Sequence, residues 1–127
     1  MSKPILFLIA AVLVVVIDSL YLNSIKGYFG KQISSVQKSP MKLDMTATVL
    51  AYVFIVFGIN YFIIHKRASV SDAFLLGLVI YGIYEFTNKA LFSKWTYTTV
   101  AIDTIWGGIL FSLVTYLTYL AERTLKL

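Results

Sequence analysis

Four apolar runs, residues 4–22, 45–65, 71–92 and 98–120, constrain this chain more than any other feature. A hydrocarbon core of about 30 Å takes about 20 helical residues to cross at 1.5 Å per residue. Each run is about that long, and helices satisfy their own backbone hydrogen bonds where no water can. The expectation is therefore an all-α fold: a four-helix transmembrane bundle, up-down-up-down, making residues 1–127 a single integral membrane domain of the multi-pass kind. Hydrophobic residues are 59% of the chain, against roughly 45–50% in a water-soluble domain.

Composition removes several classes of function. With no cysteine there is no disulfide, thiolate nucleophile or cysteine metal site, and a lone histidine, His65, leaves little for a histidine metal site. No metal and no cofactor is expected. The net charge of +5 does not point to nucleic acid, because the basic residues sit at the ends of the apolar runs and form no stripe. Five of them (Lys3, Lys66, Arg67, Arg123, Lys126) fall on one side of a four-span chain and six on the other, so charge does not orient it. Lys3 before an apolar run imitates a signal peptide, but no small-residue cleavage site follows, and the segment reads as a retained first helix.

Only six acids are present, and three explain themselves. Asp44 can cap the second run, Ser69 and Asp72 form an S-x-x-D start for the third, and Glu122 lies in the polar tail. Asp18, Glu85 and Asp103 remain, each inside an apolar run where a carboxylate needs a partner, a proton or a task. Asp18 is about 21 Å beyond Pro4, Glu85 about 20 Å beyond Asp72, and Asp103 about 8 Å past Thr98 running the other way, so one leaflet can hold all three.

Gly77, Tyr81, Tyr84, Glu85 and Asn88 share a helical face, as do Asp103, Trp106, Gly107 and Leu110, and Gly107 would admit a neighbouring backbone closely. Tyr84 and Trp106 can donate hydrogen bonds to a carboxylate. The candidate ligand- or ion-binding set is Asp18, Tyr84, Glu85, Asn88, Asp103 and Trp106. The competing reading makes the same groups interhelical glue, worth about 0.6 kcal/mol each on average. Lys89, four residues after Glu85, either pairs with it or snorkels to the interface.

Between the first two spans Ile25, Phe29, Ile33 and Val36 recur at helical spacing, which predicts a short amphipathic segment in the interface, either a lid over the acids or a simple cover. Gly27 and Gly30 weaken it and Pro40 ends it. Tyr52, Tyr61, Tyr116, Tyr119, Trp95 and Tyr97 read as interfacial anchors.

Three stretches together, I-D-S-L-Y-L at 17–22, Y-E-F-T-N-K-A-L at 84–91 followed by Trp95, and D-T-I-W-G at 103–107, resemble the small membrane proteins grouped as domain of unknown function 2177. The family forms read L-D-x-x-W-L, Y-D-L-T-N with a later tryptophan, and D-x-x-W-G. Tyr21 stands here for the expected tryptophan and Glu85 for aspartate, one methylene longer. The resemblance implies a four-helix membrane protein, matched at Asp18, Tyr84, Glu85, Thr87, Asn88, Trp95, Asp103, Trp106 and Gly107, and implies no particular activity.

Three functions fit these residues. The carboxylates could bind a proton, cation or small ligand, as in transport or a channel, with a homo-oligomer supplying the path. The chain could be an accessory subunit of a larger membrane complex, packing through Ala73, Gly77, Gly107 and Gly108. A protonated and an ionised acid could also act together on a lipid-like substrate, although no dedicated headgroup site accompanies them and a non-enzymatic role is favoured.

Overall fold

A computed structural model describes residues 4–127; Lys3, counted above among the basic flanks, lies outside the described residues. Four helices follow one another: α1 (Pro4–Gln37), α2 (Met45–Ile59), α3 (Val70–Leu91) and α4 (Tyr97–Thr124), with a π-helical turn, Asn60–Ile64, extending α2. All four are long and apolar enough to cross a membrane, and the chain is a multi-pass integral membrane protein.

Local chemistry sets the helix starts as the sequence predicts. The Asp44 carboxylate accepts from the Ala47 N–H at 3.1 Å, and the Ser69 hydroxyl from the Asp72 N–H at 3.0 Å. Thr96 caps α4 in the same way through Thr99. Each cap satisfies a donor that the first turn leaves without a partner. At the far end of the second span Arg67 takes a left-handed conformation, φ 53°, and the Ala68 N–H closes back on the Ile63 carbonyl at 2.9 Å, stopping the helix.

α3 and α4 form the closest pair. A Cβ at Gly77 would lie 2.1 Å from the Gly107 carbonyl oxygen, and one at Gly107 would lie 2.4 Å from the Tyr81 ring, so two glycines bring the backbones together. The small-residue faces that could have served a partner protein are thus used inside the chain, where Ala73, Gly77, Gly107 and Gly108 are all buried. Leu6, Ala10 and Val14 of α1 join Leu110, Phe111 and Val114 of α4 in the main apolar core. Helix α2 packs chiefly on α1 and buries only Ile59 before its π-helical turn.

The expected short interfacial element between the first two spans is not separate. It is the second half of α1, which runs unbroken through Gly27 and Gly30. Tertiary bonds offset the roughly 1 kcal/mol that each glycine costs a helix. The Tyr28 and Thr99 hydroxyls share a hydrogen bond of 2.9 Å. The Gln32 amide donates to the Lys94 carbonyl at 2.7 Å, and its oxygen accepts from the Thr96 N–H at 3.0 Å and from the Thr99 hydroxyl. The outer arm of α1 is therefore pinned across the α3–α4 connection.

Candidate functional site

Asp18, Glu85 and Asp103, from α1, α3 and α4, line one cavity of about 330 Å³. Phe29 and Ile33 on the outer arm of α1 cover it, Tyr21, Tyr81, Tyr84 and Trp95 wall it, and Leu22, Met41 and Ala51 stand on the α1–α2 side. Asp18 and Asp103 are 85 positions apart in sequence, yet the helix pairings bring the three acids to one cavity. All three are buried.

The acids are not equivalent. Both oxygens of Asp18 are served, Oδ2 by the Tyr52 hydroxyl at 2.6 Å and Oδ1 by the Trp106 indole N–H at 2.9 Å. Asp103 accepts from the Tyr21 hydroxyl at 3.1 Å. The Tyr21 ring stacks on Trp106, with centroids 4.3 Å apart and planes within 4°. One aromatic pair thereby holds two acids, each ring donating to a different carboxyl.

Glu85 is fully buried and only half served. Its Oε1 accepts from the Trp95 indole N–H at 2.7 Å, while Oε2 receives no hydrogen bond from the described residues. The neighbour within hydrogen-bond reach is the Asp103 carboxyl, another acceptor when ionised. Two ionised acceptors set against each other repel, and their contact becomes favourable only when a positive charge or a proton is shared. No group of three or more His, Asp or Glu among the described residues is arranged to hold a metal ion.

The remaining candidates from the sequence lie as follows. Trp106 reaches Asp18 as a donor. Tyr84 lies on the cavity rim, 58% exposed, and the hydrogen bonds to the three carboxyls come from other residues. Asn88, one turn beyond Glu85, gives its backbone carbonyl to the Phe92 N–H at 2.8 Å, and its side chain is not part of the cavity wall. The Lys89 ammonium lies 5.0 Å from the Tyr97 ring centroid, and the ion pair formed among the described residues is Arg67–Glu122 instead.

Tyr52 and Trp95, read from the sequence as interfacial anchors, are donors to Asp18 and Glu85, and Trp95 is buried. Tyr21 and Gln32 had no role assigned. A signal for them was present: Asp18, Tyr21, Ile25, Tyr28 and Gln32 are spaced 3, 4, 3 and 4 apart, one face of one helix. Splitting the helix at Leu22 hid that continuity.

No curated protein and no solved structure matches the chain. The family model described as "Predicted membrane protein (DUF2177)" matches residues 4–120, nearly the whole sequence. On that match the chain belongs to the DUF2177 family of predicted membrane proteins.

Proposed function

We propose that this protein binds a proton or a small cationic ligand at Glu85 and Asp103, within the membrane, and that exchange of that ligand with one face of the bilayer is its function. The supporting observation is the fully buried Glu85, whose Oε2 has no donor and whose neighbour is a second carboxyl. An uncompensated pair of this kind is costly in hydrocarbon unless something positive sits between the carboxyls. Asp18 has a different part, since its two donors fix it as the post on which Trp106 and Tyr52 are positioned.

The accessory-subunit reading loses the feature that suggested it, because the glycine faces meet each other within the chain. Interhelical glue does explain Asp18. It does not explain Glu85, where an acceptor set against an acceptor adds no attraction until a proton or cation arrives.

Infrared spectroscopy of the purified protein in nanodiscs tests the proposal. The protonated-carboxyl band should titrate with pH and change in both Glu85→Gln and Asp103→Asn, while Asp18→Asn leaves that titration in place. A band unaffected by pH and by both substitutions would rule the site out. In liposomes, a proton or cation flux lost in Glu85→Gln would extend the binding site to a transport step.

A further inference from the structure

The ligand class can be narrowed, on the assumption that Glu85 and Asp103 do bind a cation. We infer that the cavity accepts an organic ammonium group, its charge against the Glu85–Asp103 pair and its carbon substituents against the aromatic wall. Three carboxyls line the space, and no Lys, Arg or His among the described residues does. Phe29, Tyr21, Tyr81 and Trp95 supply aromatic rings around a volume of about 330 Å³, near the lower end of the roughly 300–1,000 Å³ of small-molecule sites. Rings beside carboxylates suit a cation that carries hydrocarbon, because the ring quadrupole attracts the charge while the ring surface buries the carbon.

A bare divalent ion is the poorer fit. Calcium takes about six to eight oxygen ligands, whereas both Asp18 oxygens are already occupied and no group of His, Asp or Glu among the described residues is arranged around a metal. Glu85 Oε2, buried and without a donor, is the acceptor that an N⁺–H group would fill. The rim contains Leu22, Met41 and Tyr84, all exposed. Met41 belongs to the α1–α2 connection, so the mouth opens at the edge of the bilayer rather than at its centre. Both a free amine and the ammonium of an aminolipid headgroup can reach that level.

The chain carries two tryptophans, Trp95 and Trp106, and both donate to carboxyls of the site, so their fluorescence is a built-in reporter. Butylammonium added to the protein in phosphatidylglycerol nanodiscs should give a saturable change that sodium at equal ionic strength does not. Asp103→Asn and Glu85→Gln should each weaken it at least about tenfold, the worth of a charge-assisted hydrogen bond. Phe29→Leu, which leaves every carboxyl in place, should weaken it roughly twofold to thirtyfold. Saturation-transfer NMR on the butylammonium protons checks the wild-type protein without any substitution.

Competition by phosphatidylethanolamine in the nanodisc would identify the headgroup as the source. Binding indifferent to that lipid would identify a free amine. No saturable response, or an equal response to sodium, overturns the ammonium assignment; if the carboxyl band still titrates, the proton or small-cation site survives it. A silent carboxyl band together with no ammonium response removes both.

Discussion

The two halves of this molecule are held in different ways. Helices α3 and α4 meet through glycines, backbone against backbone, with buried residues along most of α4. Helix α2 lies against α1 with a largely exposed surface and is tied at the site level by one hydrogen bond, Tyr52 to Asp18. The acids divide along the same line. Glu85 and Asp103 sit on the rigid pair, which holds two carboxyls close despite their repulsion, while Asp18 and its donors bridge to the looser pair. A carboxyl pair held beside a less tightly packed helix is what the proposed site would need for a ligand to enter without disturbing the groups that hold it.

The contrast is broken most directly at Gly77. Gly77→Ala puts a methyl 2.1 Å from the Gly107 carbonyl oxygen and should force the helices apart at a cost toward the top of the roughly 1–3 kcal/mol of overpacking, read as a large drop in the thermal midpoint in detergent. An unchanged midpoint would show that the pair is not rigid. Asp18→Ala should cost roughly 1–3 kcal/mol, because it removes the acceptors of both the Tyr52 hydroxyl and the Trp106 N–H. A red shift of tryptophan emission should accompany that loss.

Gln32→Ala comes next. It leaves the Thr96 N–H without its acceptor and should cost about 1–2 kcal/mol, with faster hydrogen exchange confined to residues 26–37 and the start of α4. Exchange that quickens evenly along α1 would show that the arm is not pinned where Gln32 meets Thr96. The smallest effect has the opposite sign. Gly27→Ala meets nothing within 4 Å and should stabilise by up to about 1 kcal/mol, so a loss of stability there would reveal a contact that the packing lacks.

Much of this arrangement was legible in the residues. Run length gave four spans, elimination isolated three acids, and helical rise put them at one depth. The Asp44 and Ser69 starts follow from local chemistry alone, and so they were found. What escaped depended on tertiary partners. An aromatic at a span end satisfies the rule for interfacial anchors, and nothing local distinguishes Trp95, which turns inward to Glu85, from Tyr97, which faces outward. The continuity of α1 was missed because Gly27 and Gly30 weaken a helix taken alone, whereas the bonds that restore it come from residues sixty or more positions away. Tyr84 shares a face with Glu85, but a helical face is wide, and at its edge Tyr84 lines the exposed rim of the cavity while the carboxyls take their hydrogen bonds from other residues.

At 34 residues α1 is about 51 Å long, some 20 Å more than a hydrocarbon core of about 30 Å requires. About 21 Å of uninterrupted rod separates Asp18 from Gln32. With no joint between them, the outer half of α1 is a lever arm whose inner end carries a carboxylate. Whatever grips that arm also sets the position of a buried acid, through the stiffness of one helix.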